Sequence, residues 1–179
     1  MTQSVEQSRT PTMVEVMNTL ASNIYDNTSV CMPGLVKTYD PALRQAEVQP
    51  LLNRAVFDED GNEIQEELPT IPAVPVVFPR GGTFYIVYPL QPGDNVLLVF
   101  ADRSLETYML STGDTPNDQI DLRQHNLSDA IAIPGFFPTG KPILDTVAPT
   151  DLVVGKEAGP TITVTTTQVD INGNFTVDL

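Results

Sequence analysis

Gln91-Pro-Gly-Asp-Asn-Val-Leu-Leu-Val-Phe100 is the stretch that decides how this chain folds. Gln91–Asp94 is turn chemistry, in which proline presets one backbone angle and glycine adopts a conformation that other residues avoid. Val96–Phe100 is apolar at every position, so both faces of an extended segment must be covered. That is the mark of the central core strand of a sheet.

Working outward, Arg80-Gly-Gly82 turns into a strand over Phe84–Leu90. The segment Pro69–Pro79 carries four prolines and reads as an edge or irregular strand. Farther upstream, Pro33-Gly34 kinks into Leu35–Tyr39, and Asp40-Pro41 turns into a strand over Arg44–Phe57. Asp58-Glu-Asp-Gly61 then closes a hairpin. Downstream, Leu105–Leu110 reads as one more strand, Ser111–Leu127 as a polar loop, and Ala130–Pro138 as an apolar segment broken at Pro134-Gly135. Short strands with a turn signal near every tenth residue are the pattern of a small barrel. Ahead of it, Met13, Val16 (or Met17), Leu20 and Ile24 recur at helical spacing, predicting a helix over Met13–Asp26. Glu15 suits the positive end of the helix dipole. The apolar stripe rests either on the chain's own domain or on another protein.

The end of the chain has a different texture. In Thr161-Ile-Thr-Val-Thr-Thr-Thr-Gln-Val-Asp-Ile-Asn-Gly-Asn-Phe-Thr-Val-Asp-Leu179, Ile162 and Val164 alternate with threonines. After a phase shift across Thr165–Gln168, Val169, Ile171, Phe175, Val177 and Leu179 share one period-2 face. Burying these seven side chains yields roughly 10–20 kcal/mol gross. Ordering the ribbon costs as much or more. A lone ribbon therefore frays, and the economical solution is that copies of the same tail bury these faces along a shared axis. Ile162, Val164, Val169, Ile171, Phe175, Val177 and Leu179 are the expected interface residues, and Phe175 is expected to point inward.

Bulk properties fit a structural role. The 179 residues allow one domain plus an appendage. With 23 acidic and 9 basic residues the net charge is −14, which argues against holding nucleic acid through its phosphates. Cys31, the only cysteine, forms no intrachain disulfide and is expected as a small buried hydrophobe. No basic-then-apolar leader opens the sequence, and no apolar run approaches the roughly 18 residues of a membrane span. Synthesis in a cytoplasm is expected, with any other destination reached as part of a larger particle.

Candidate chemistry is sparse. His125, Ser128 and Asp129 contain the residue types of a catalytic triad, but they crowd into one short loop, whereas working triads gather residues from distant segments. No Gly-x-Ser-x-Gly elbow occurs. Asp58, Glu59, Asp60, Glu63, Glu66 and Glu67 form a charge run in a hairpin and lack the register of a calcium loop. Asp102-Arg103 reads as a structural ion pair. Since His125 is the only histidine, no His-x-His metal motif exists. No enzyme activity, metal or cofactor is expected.

Several segments, taken in order, resemble the membrane-piercing central-spike proteins of contractile-tailed phage baseplates. They are Met32-Pro-Gly-Leu-Val, Tyr39-Asp-Pro41 followed by Ala46-Glu-Val-Gln-Pro50, Val74-Pro-Val-Val-Phe-Pro-Arg-Gly-Gly82 and Pro92-Gly-Asp94. Phe100-Ala-Asp-Arg-Ser104 and Arg123-Gln-His-Asn-Leu-Ser-Asp-Ala130, leading to Ile133-Pro-Gly135, complete the set. The resemblance covers about residues 30–140 and lies in the ordered spacing. It implies an all-β homotrimer in which an OB-fold barrel precedes an intertwined, three-chain β-helix stalk. The implied organisation is an amino-terminal arm and helix over 1–29, the OB-fold barrel with its connecting loop over 30–137, a linker over 138–160 and the start of the β-helix over 161–179. The implied function is that of a virion component at the distal end of the tail tube, transmitting force to the host envelope and piercing it. Tail-tube and baseplate-hub proteins are the expected partners, with Met13, Met17, Leu20 and Ile24 as hub-docking candidates. Complete spikes of this kind run longer and close in a tip that often holds iron through histidines. This sequence has none there, so a separate tip protein, or further residues, is expected to cap the stalk. A hydrolytic spike with its own lysozyme domain finds no spare length. The alternative is a monomeric OB-fold module for oligosaccharide or single-stranded nucleic acid, which calls for a basic groove with stacking aromatics. The chain has no tryptophan and few basic residues to build one.

Overall fold

Strand β1, Cys31–Asp40, is the hinge of the architecture because it pairs on both sides. The computed structural model describes residues 11–26, 28–58, 61–141 and 150–174. The chain divides into two compact units, Met1–Phe136 and Phe137–Leu179. In the first, β1 is followed by β2 (Gln45–Pro50), β3 (Arg54–Phe57), β4 (Glu63–Glu66), β5 (Ile71–Pro75), β6 (Arg80–Gly81), β7 (Phe84–Tyr85), β8 (Asn95–Phe100) and β9 (Ala130–Pro134). Five of these make one antiparallel sheet in the order β5-β2-β1-β8-β9, while β3–β4 and β6–β7 are separate hairpins. The large sheet curls into a half-barrel. Its outer strands meet through a parallel bridge between Val76, just past β5, and Ala132 of β9. There the Val77 N–H donates to the Ala132 carbonyl at 2.9 Å.

Alternation decides what lies inside. Val36, Val48, Val96 and Leu98 are essentially fully buried, joined by Ile71, Val74, Val76, Phe100 and Ala132. Each buried Val or Leu side chain contributes about 1.5–3 kcal/mol. Strand β1 runs straight through Pro33-Gly34, where the sequence suggested a kink. Gly34 is there for closeness, since a Cβ on it would stand 2.6 Å from Val48 Cγ1 and 3.0 Å from Leu98 Cδ1. Buried Gln49 ties the chain leaving β4 to the sheet, donating to the Leu68 carbonyl at 2.7 Å and accepting from Thr70 Oγ1.

Further expectations need correction, the first being that Arg44–Phe57 is not one strand but two, β2 and β3, in different sheets. Leu105–Leu110 is not a strand: Glu106–Leu110 is a one-turn helix, α2, closed by Met109 N–H to the Leu105 carbonyl at 2.9 Å. Its residues do not alternate, so nothing favoured one buried face. Only Phe84–Tyr85 of Phe84–Leu90 is strand, because its partner β6 is two residues long. Cys31 is exposed: it sits on the odd-numbered face of β1, opposite the inward Gly34 and Val36.

Helix α1 spans Met13–Asp26, as its spacing predicts. The Thr12 N–H donates to Glu15 Oε2 at 2.6 Å and the Glu15 N–H returns a bond to Thr12 Oγ1 at 3.3 Å, a reciprocal capping box. No described helix is long and apolar enough to cross a membrane.

In the second unit, β10 (Leu152–Gly155), β11 (Thr161–Val164) and β12 (Val169–Asn172) form an antiparallel meander. The phase shift at Thr165–Gln168 is the turn between β11 and β12, closed by Thr165 N–H to the Gln168 carbonyl at 2.9 Å. Strand β10 lies where the sequence suggested a linker.

Candidate functional site

The long connection from β8 to β9 is fastened by one buried carboxylate. Asp129 ends a 3-10 turn, Leu127–Asp129, whose start is capped by the Asn126 side chain accepting from the Ser128 N–H at 3.0 Å. The Asp129 side chain is 2% exposed and takes a two-pronged contact from Arg123, with Nε at 2.7 Å from Oδ2 and Nη2 at 3.1 Å from Oδ1. The Leu105 N–H donates to the same Oδ1 at 2.9 Å, which fixes the start of α2. Arg123 also reaches Asp121 at 2.6 Å. Burial pushes the Asp129 carboxyl up, but the hydrogen bonds from Arg123, Leu105 and Ser104, together with the Arg123 charge, hold it below its ordinary value. The hydrogen bond to Asp129, more than any other contact, raises the Arg123 guanidinium above its ordinary value.

The triad-like residues are engaged elsewhere. Ser128 Oγ bonds Asn126, Asp129 bonds Arg123, and His125 Nε2 lies 3.3 Å from Asp102 Oδ1. His125 adopts a left-handed backbone (φ 47°), its carbonyl accepts from the Ser29 N–H at 3.1 Å, and its Nδ1 is buried without a partner. Asp102 pairs with Arg103 at 3.1 Å on the surface, as its sequence position suggested. Among the acidic run, Asp58 caps its own hairpin by accepting from the Asn62 N–H at 2.8 Å, and Glu63 and Glu66 are exposed. Glu59 and Asp60 lie outside the described residues. Arg123 organises this loop, and the sequence reading quoted it only within a motif. Its signal was an arginine six residues before an aspartate that precedes an apolar strand.

The second group of residues is apolar and uncovered. Pairing in the meander aligns Leu152, Val164 and Val169 in one row and Val154, Ile162 and Ile171 in a second. All six share a face, because directly opposed residues project to the same side. They are exposed within the chain, from 39% at Val164 to 64% at Leu152. The structure thus brings onto one face Ile162 and Val164 with Val169 and Ile171, which the sequence reading had separated by a phase shift, and adds Leu152 and Val154. The pair was legible, since Leu152-Val-Val-Gly155 and Thr161–Val164 flank a Gly-Pro turn. Phe175, Val177 and Leu179 lie outside the described residues. In α1, Met13, Met17, Leu20 and Ile24 are likewise exposed rather than packed on the barrel.

Residues 32–135 match the family described as Phage protein Gp138 N-terminal domain. The chain belongs to this family. The match runs from the second residue of β1 to the residue after β9, so the Gp138 N-terminal domain here is the curled sheet with its Asp129-anchored loop. Membership makes this a phage structural protein, tail-associated and part of the virion. No curated protein matches the chain at a significant level.

Proposed function

We propose that this Gp138-family protein is the central spike at the distal end of the tail tube, working as a homotrimer that transmits force to the host envelope. The observation that carries this reading is the meander's six-residue apolar face, too large to stay wet in a structural protein that must survive load. Three copies facing a common axis cover it, and interchain pairing would also remove the open edges of β10 and β12. The five-stranded curled sheet with its parallel bridge supports an OB-type barrel at the top of such a spike. The role proposed is mechanical, and the Arg123–Asp129 cluster serves to hold its loop. The amino-terminal segment is the part that joins the hub or tube. Solution mass tests the reading. The full chain should run as a trimer, and a chain lacking residues 150–179 should keep a folded barrel yet lose that association. A trimer unchanged by the deletion would remove the tail from the account.

One observation favours the binding-module alternative. A groove of about 660 Å³ is lined by Tyr39, Tyr88 and Arg44 together with Pro41 and Pro92. Tyr88 already packs edge-on against Phe78, at 5.2 Å between centroids, which limits its use as a stacking platform. A monomer that retains oligosaccharide on a column, with Tyr39→Ala abolishing retention, would favour that reading.

A further inference from the structure

Helix α1 is exposed along its whole described length, Met13 to Tyr25, and its apolar residues lie uncovered. Asn18, Thr19, Ser22 and Asn23 line a space shared with Arg54–Phe57 of β3. Met13, Met17, Leu20 and Ile24 are 72%, 59%, 57% and 66% exposed. Their spacing of four, three and four residues is that of a coiled-coil seam. Of the four positions flanking such a seam, Val14, Val16 and Ala21 are apolar and only Asn23 is polar, where a two-stranded coil would place charged pairs. Glu15 lies on the far side, its carboxylate already bonded to Thr12.

We propose that the α1 helices of separate copies of this chain pack on one another as a parallel bundle, with Met13, Met17, Leu20 and Ile24 along its axis. The proposal rests on the homotrimer reading for the number of copies. Three features select copies of the chain over a foreign groove. The face bears no charge, so it offers nothing for a partner of either sign to recognise. Its largely apolar flanks suit contact with two neighbours at once, which a bundle of three supplies and a pair does not. Identical helices in parallel register keep each Glu15 outside, so a protein of net charge −14 meets itself there without like-charge contact. A 14-residue helix is marginal alone. Joined through a trimeric tail, three such helices meet at high effective concentration. The polar side of each helix then stays toward its own β3.

The test uses the full chain in a Cys31→Ser background, with Leu20→Cys or Met17→Cys on the seam and Ser22→Cys on the outer side. Each is oxidised mildly while native mass is measured in parallel. Seam cysteines should form interchain disulfides at least tenfold faster than Ser22→Cys, in particles of trimeric mass. A trimer in which neither seam cysteine outpaces Ser22→Cys overturns the bundle and leaves the trimer standing. A monomer overturns both. Two seam positions guard against either substitution weakening the helix.

Discussion

The barrel sheet and the tail meander are written in the same local code and end with opposite surfaces. In β1, β2 and β8, alternating apolar residues sink to almost zero exposure because the sheet curls until its inner face meets itself. In β11 and β12 the alternation is at least as regular, yet the three short strands β10–β12 cannot curl far enough to cover six side chains. Strand patterning thus specifies a face, and the number of strands decides whether one chain can hide it. What the tail lacks within a chain, its copies are proposed to supply.

Substitutions can break this contrast or sharpen it. The largest effect is expected from Ile171→Asp, which would place one charge per copy on the proposed dry axis and cost several kcal/mol. Sedimentation should show dissociated copies with the barrel still folded, and a full-mass particle would put Ile171 on the surface. Leu98→Ala comes next, losing about 2–5 kcal/mol in urea unfolding whatever the state of association. Ile162→Ala is its control. In dissociated chains it should cost less than about 1 kcal/mol, and in assembled ones as much as a core truncation. Equal small costs in both states would mean that the tail face is never buried.

Asp129→Ala should cost about 2–3 kcal/mol, less than a fully buried pair, because the Arg123 side chain keeps 27% exposure. The pH dependence has a definite sign. A carboxyl held below its ordinary value stabilises the fold at all pH above the unfolded-state value and loses that contribution as pH falls through the folded-state value. Acid titration of stability should therefore flatten in Asp129→Ala. An unchanged acid limb would move the titration to other carboxylates. The smallest effect belongs to Thr12→Ala, about 1 kcal/mol of helix stability, read by circular dichroism as fraying of α1.

Much of the fold was legible because periodicity reports burial directly. The bounds of α1 and the core strand at Val96–Phe100 follow from spacing, as do the two alternations in the tail, which the turn at Thr165–Gln168 then sets on one face. Failures arose where tertiary partners overruled local texture. Gly34 looked like a kink and is a contact, since the Val48 and Leu98 side chains that need the room are distant in sequence. Glu106–Leu110 looked extended and is helical, because Asp129 holds the Leu105 amide from the far end of the loop. The Thr12–Glu15 capping box was readable from its spacing and went unread.

The parallel bridge that closes the barrel carries a consequence for timing. Val76 is synthesised long before Ala132, so a nascent chain can pair β1, β2 and β5 while the closing edge still waits inside the ribosome. The last contact made is also among the thinnest, and local opening should begin where few bonds must break. The Val77 amide, bonded to Ala132, is then the clock for that opening. Its hydrogen exchange should outpace that of the β1 amides paired in the interior of the sheet.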